Sequence, residues 1–255
     1  PHRVDFGRDR AVSLNNLGAL HSRLGEHAAS AQAYQKASQI QYELLNQTPH
    51  SQVYRRDLAV SENNIGLALA RADSNVEAER AFRRAIGFQY ELVAERPDDL
   101  NDAASLAGIW NNLGMVLESR DRLPEACDAY EQGIAILTDL SGRSPDGSGV
   151  RQNLSRTYFN YSRALLELDS VDRAVEFALR RRNLWPGNLT RLLSVAEQLA
   201  AAAARVDGAK ASHQSRISHD ACRRLVSETL SAAIQAGLDP TVIHESHMSD
   251  WLFPQ

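Results

Sequence analysis

The sequence predicts an all-α, right-handed superhelical solenoid of antiparallel helix pairs, on three features kept in one register. Asn16, Asn64, Asn112 and Asn160 are each 48 residues apart. Pro49, Pro97 and Pro145 keep the same step, as do Ile40, Phe88, Ile136 and Leu184. A fixed period of about twenty to fifty residues marks stacked supersecondary units, each burying its apolar face only against its neighbours. Strand patterns are missing throughout, so each unit reads as helix, turn, helix.

In the first unit, about 3–50, Leu14, Leu17, Gly18 and His21 fall on one helical face and Gly25 supplies the turn. Ala33, Tyr34, Ala37, Ile40 and Leu44 form the apolar stripe of the second helix. Thr48-Pro49 ends the unit, because proline lacks an N–H and moves the preceding residue away from helical angles. Pro97 and Pro145 end the units 51–98 and 99–146 in the same way. Two registers compete for the helix starts. Ser51 and Asp99 are N-caps for early starts, whereas Asp9, Asp57, Ser105 and Asn153 are also all capping types.

The fourth unit, 147–188, is degenerate: Tyr158 and Asn160 hold their places, but Tyr161-Ser162 replaces Leu-Gly and Arg181 stands where a small residue is expected. End-proximal repeats depart from the pattern in this way. A fifth pair, 189–237, follows, with helices from Leu189 to Arg205 and from Ser218 to Ala236 around a polar insertion, Asp207 to Arg216. Gly237 is its C-cap. The tail 238–255, with Trp251, Leu252 and Phe253, is expected to fold back as a C-terminal cap; an exposed docking motif is the alternative.

The placement of small and aromatic residues resembles the tetratricopeptide repeat: a large residue, then Leu-Gly, in the first helix, and Ala-x3-aromatic-x2-Ala in the second. The third unit has Trp110, Leu113-Gly114, Ala126, Tyr130 and Gly133; the second has Ile65-Gly66, Ala78, Phe82 and Ala85. Small residues let the paired helices cross closely while the ring fills the space between pairs. The phrases Tyr54-Arg55-Arg56-Asp57-Leu58-Ala59 and Arg182-Asn183-Leu184-Trp185-Pro186-Gly187-Asn188 also resemble the C-terminal repeat regions of large bacterial serine/threonine protein kinases. That resemblance implies a kinase domain upstream and a regulatory or docking role for this chain. The opening Pro1-His2-Arg3 without methionine fits a piece of a longer protein.

Chemistry of the chain's own is not expected. Arg55-Arg56-Asp57-Leu58 lacks the histidine of a kinase catalytic loop, and Glu62 occupies the place of its asparagine. No nucleophile elbow follows a strand, and no pair of carboxylates stands apart as acid and base. His244 and His247 share a helical spacing suited to metal, but a solvated polar tail is the simpler reading, so no cofactor or metal is expected. With 43% hydrophobic residues, 24% charged residues and a net charge of −4, no basic field points to nucleic acid. The two cysteines, Cys127 and Cys222, match neither a disulfide framework nor a metal spacing. Both are expected as buried apolar side chains in a reducing, cytoplasmic setting. The most apolar run, Leu199 to Ala204, is too short to cross a bilayer.

The candidate site is the row of asparagines. In tetratricopeptide arrays the first helices line a concave groove, so the resemblance places Asn16, Asn64, Asn112 and Asn160 as a ladder along it. An amide offers both a donor and an acceptor and can hold an extended peptide by its backbone, whatever the peptide's side chains. Kinesin light chains, similar in their Asn-Asn-Leu phrases, use such a device. The alternative is that these amides bridge neighbouring units and serve packing alone. Arg23 and Arg71, one period apart, and Arg163 in the fourth unit are expected near the same groove, where they would favour acidic or phosphorylated ligands. The reading is a protein or peptide-binding module, with a structural spacer or self-association module as the alternative.

Overall fold

Helix hairpins follow one another along the chain, as the period requires. The computed structural model describes residues 2–143, 147–207, 216–239 and 243. The elements are α1 (His2–Arg23), α2 (His27–Gln47), α3 (Gln52–Arg71), α4 (Asn75–Glu95), α5 (Leu100–Ser119) and α6 (Leu123–Arg143), then α7 (Ser148–Glu167), α8 (Val171–Asn183), α9 (Leu189–Asp207) and α10 (His219–Gln235). No strand occurs among the described residues. The polar insertion from 208, the His244/His247 pair and the cap expected around Trp251 to Phe253 lie outside the described residues. The helices divide into two compact units, Pro1–Asp146 with α1 to α6 and Gly147–Gln255 with α7 to α10.

The early helix register is the one adopted. Ser51 caps α3, its hydroxyl accepting from the Tyr54 N–H, and Asp99 caps α5, accepting from the N–H groups of Asn101 and Asp102. Asp9, Asp57, Ser105 and Asn153 lie well inside helices. A side-chain acceptor at these starts satisfies N–H groups that have no partner within the helix.

Within each of the first four hairpins the turn recurs in the left-handed region: Gly25 at φ 77°, Asp73 and Asp121 at 58°, and Asp169 at 54°. These positions keep the 48-residue step, with aspartate, which tolerates that region, replacing glycine after the first unit. The hairpins close tightly because glycine meets a ring. A Cβ at Gly18, Gly66 or Gly114 would sit 2.8, 2.6 or 2.5 Å from Tyr34, Phe82 or Tyr130.

The fourth hairpin solves the same packing problem by exchange. Ser162 replaces the glycine, and at the facing position Ala178 replaces the ring. Ser162 Oγ donates to the Ala174 carbonyl at 2.8 Å. The lost ring volume is supplied one residue away on each helix, where Tyr161 and Phe177 meet edge to face at 4.7 Å. The departure from Leu-Gly is thus a paired volume swap.

The first helix departs from expectation at Leu17. Its periodic equivalents Ile65, Leu113 and Tyr161 are buried at 2%, 1% and 0%, yet Leu17 is 43% exposed, and Leu20 and Leu24 are open as well. In the first unit, α3 and α5 are each covered on that side by the second helix of the preceding hairpin; no described helix covers α1.

Buried charge in the first unit is paired, within a hairpin between α3 and α4 and between hairpins at Asp102. Asp102 receives Arg56 in a two-pronged contact at 3.0 and 2.6 Å, together with Arg96 and the Gln89 amide. Glu62 accepts from Ser38 Oγ at 2.8 Å and from Arg84 at 2.9 Å, and Arg55 pairs with Glu91 and Glu95. Both cysteines are buried, as expected. Burial, with Asp172 adding to it, pushes the Cys222 thiol up.

Candidate functional site

The apolar faces of α3 and α5 are used in packing, and on these helices, as on the less covered α1, one stripe faces outward at spacings of four, three and four residues. On α1 it runs Val12, Asn16, Ala19, Arg23; on α3 Val60, Asn64, Leu67, Arg71; on α5 Gly108, Asn112, Met115, Ser119. Residues so spaced share a helix face. Val12, Val60 and Met115 are exposed at 43%, 50% and 46% although apolar. Between α3 and α5 the surface sinks into a cavity of about 240 Å³ bordered by Val60, Asn63, Ser105, Gly108 and Asn112, with Gln89 of α4 beneath.

The amides of the predicted ladder do not share one environment. Asn16 is exposed, and Asn64 and Asn112 are half-buried. Asn112 Nδ2 donates to Asn63 Oδ1 at 3.0 Å, so one of its donors is used between hairpins. Asn160 is 6% exposed and does not present its amide at the surface, contrary to the ladder expectation.

In the first two pairs the other asparagine has a role that sequence reasoning missed. Asn15 and Ser61 exchange hydrogen bonds, Nδ2 to Oγ at 3.0 Å and Oγ to Oδ1 at 3.2 Å. Asn63 performs the equivalent bridge to Asn112. Asn15 and Asn63 therefore join the first helices of successive hairpins, whereas Asn111 reaches Met115 on its own helix. The signal in the sequence was only the recurrence at Asn15, Asn63 and Asn111.

Among the predicted arginines, Arg23 and Arg71 end the stripes of α1 and α3 and are exposed. Arg71 Nη1 donates to Ser22 Oγ at 2.9 Å and ties the two stripes together. Arg163, on α7, is exposed and stands 6.0 Å over the Phe159 ring.

In the second unit a separate cavity of about 320 Å³ opens among Gln152, Asn153, Arg156 and Phe159 of α7, Arg181 of α8, and Arg191 and Ser194 of α9. Arg181 is the residue that replaces a small side chain in the period, and it is 6% exposed. Burial, and next the repulsion of Arg191, lower its pKa to about 10, with Glu197 a smaller opposing influence. It is still charged at neutral pH. Among the described residues no three or more His, Cys, Asp or Glu side chains gather to hold a metal, and no helix is long and apolar enough to cross a membrane.

Comparison with known proteins agrees with the architecture. The tetratricopeptide repeat profile matches residues 10–51 and 106–146. Among curated proteins none matches the sequence. Of the solved structures, a putative kinesin light chain with nearly identical tetratricopeptide-like repeats from Podosopora anserina is similar at 15% identity and a TM-score of 0.62, covering 94% of this chain and 98% of its own. MamA is similar at 12% identity and a TM-score of 0.54, covering 94% and 96%. YrrB, described as a tetratricopeptide protein with an unusual peptide-binding site, is similar at 14% identity and a TM-score of 0.50, covering 96% and 95%. At these identities the likeness establishes the helical repeat fold.

Proposed function

We propose that the chain is a protein-interaction module, without catalysis of its own, that holds an extended peptide or partner segment across the first helices of its hairpins. The observation that carries this reading is the outward stripe repeated in register on α1, α3 and α5, in which each amide lies beside one solvent-exposed apolar side chain, Val12, Val60 or Met115. An extended peptide needs backbone partners at regular intervals and shallow apolar contacts between them, and the stripes supply both. Asn16, Asn64 and Asn112 are the backbone partners, and Arg23 and Arg71 favour acidic or phosphorylated positions in the ligand. The likeness in fold to YrrB, described as having a peptide-binding site, supports a peptide ligand; the resemblance in sequence phrases to kinase-associated repeats is what suggests a docking or regulatory arm of a bacterial serine/threonine kinase, acting on a partner or on the kinase domain itself in the cytoplasm.

The test is a displayed library of random peptides selected on the whole chain and re-measured on a variant carrying Asn64→Ala and Asn112→Ala. Selected peptides are expected to bind the variant at least about tenfold more weakly, the loss of one or two hydrogen bonds. The helical circular dichroism and the melting temperature are expected to change little. Unchanged affinity overturns the ladder, and a collapsed fold shows the amides to be packing elements.

Self-association is a second reading, favoured by the open leucines Leu17, Leu20 and Leu24 on α1. Light scattering over a concentration series decides it: a rising mass that Leu20→Asn abolishes supports self-association, and a constant monomer mass excludes it.

A further inference from the structure

Every buried charge described above in the first unit touches an opposite charge, whereas Arg181 has no carboxylate in contact and feels Glu197 only as the smallest influence on it. Its guanidinium donates only to neutral acceptors: Ser155 Oγ at 3.3 Å, Ser194 Oγ at 3.1 and 3.2 Å, and Gln198 Oε1 at 2.6 Å. It lies 4.9 Å from the centre of the Phe159 ring. Two further cations border the same cavity. Arg191 is held by Ser155 Oγ at 3.1 Å and by the face of Trp185 at 5.2 Å, and Arg156 is in reach of Asn153 Oδ1 at 3.4 Å. None of the three arginines has an ion pair among the described residues.

Holding one guanidinium out of water beside two others is unfavourable unless something offsets it. The hydroxyls and the aromatic faces orient these groups, but they carry no charge. A bound anion supplies what is missing. One carboxylate would leave two of the three charges unmatched. A phosphate monoester brings a charge of about −1.5 to −2 and three acceptor oxygens, which suit the planar fork of arginine. The first unit makes no such site. At the places of Arg156, Phe159 and Arg181 it has Val60, Asn63 and Ala85, or Gly108, Asn111 and Gly133.

We propose that the cavity among α7, α8 and α9 is a binding site for a phosphate monoester, with Arg156 and Arg191 as its direct contacts and the buried Arg181 setting its charge. The site is independent of the amide stripes on α1, α3 and α5, so either can fail without the other. A phosphorylated side chain of a partner and a free phosphate ester share the required chemistry, and the experiment separates these sources.

The experiment is isothermal titration calorimetry on the full chain at low ionic strength. The probes are inorganic phosphate, N-acetyl-phosphoserine amide, N-acetyl-aspartate amide, and one neutral peptide with and without a central phosphoserine. The phosphorylated probes are expected to bind at least tenfold more tightly than the aspartate amide, and raising the salt is expected to weaken them. Comparable affinity for the free ester and the phosphopeptide identifies a small-ester source; markedly tighter phosphopeptide binding identifies a protein source. Arg191→Gln and Arg156→Gln, both at the rim, are each expected to lose at least tenfold in phosphate affinity with unchanged circular dichroism, while Arg71→Gln in the first unit loses nothing.

A thermal measurement adds a readout that a purely structural arginine would not move. Phosphate is expected to raise the melting temperature of the unsubstituted chain and to leave that of Arg181→Met unchanged. No binding by any phosphorylated probe overturns the proposal. Equal affinity for aspartate and phosphoserine amides overturns it too, as does phosphate binding that survives both rim substitutions.

Discussion

At the scale of single residues, the tightest constraint is the meeting of glycine and ring inside each hairpin. Gly114→Ser drives a side chain into Tyr130 and is expected to destabilise by about 1–3 kcal/mol, and Tyr130→Ala alone by about 3–5 kcal/mol. The fourth hairpin carries both changes together, as Ser162 and Ala178. The double substitution is therefore expected to cost at least about 1 kcal/mol less than the sum, measured by urea unfolding. Strict additivity would refute the paired swap. Asp102 is the buried carboxylate whose lowered pKa links acid to the stability of the first unit. Burial alone would raise its pKa, but hydrogen bonds from Arg56, Arg96 and Gln89 outweigh it and hold the pKa below the usual carboxylate value. A depressed folded-state pKa contributes stability that is present above about pH 4 and is lost as pH falls through the folded value. Asp102→Asn is expected to be less stable at neutral pH and to show a flatter decline in stability below pH 4, followed by denaturant melts across that range.

At the scale of elements, the same sequence position has different energetic weight according to what covers it. Leu113 is 1% exposed on α5, whereas Leu17, two periods earlier on α1, is 43% exposed. Leu113→Ala is expected to cost about 2–5 kcal/mol and Leu17→Ala less than about 1 kcal/mol in chemical denaturation. Equal losses would mean that α1 is covered in solution. The repeat was legible from Pro49, Pro97 and Gly25 because proline and glycine act through local sterics. The choice between Ser51 and Asp57 as cap was not legible, since both residues can cap and only the preceding hairpin decides where the chain may turn.

At the scale of the whole molecule, two compact units each carry their own buried side chains, and in repeat architectures stability is close to a sum of local and nearest-neighbour contributions. Leu199→Ala in α9, fully buried in the second unit, is expected to lower hydrogen-exchange protection in α9 and α10 while that of α1 to α4 stays unchanged. Uniform loss over all helices would show one cooperative body.

The sequence by itself determined the helical hairpins and the recurrence of small and aromatic residues along them. These depend on neighbours a few residues away, or on a pattern that repeats. Only the tertiary structure decided what the asparagines and arginines do. Asn15 bonds a residue 46 positions away and Asn63 one 49 away. Asn160 is buried although its periodic equivalent Asn16 is exposed, and Arg181, visible in sequence only as a bulky residue in a small site, became a buried cation. Whether a polar side chain bridges, binds or is buried is settled by the groups brought against it from the next hairpin, and a local pattern does not carry that information.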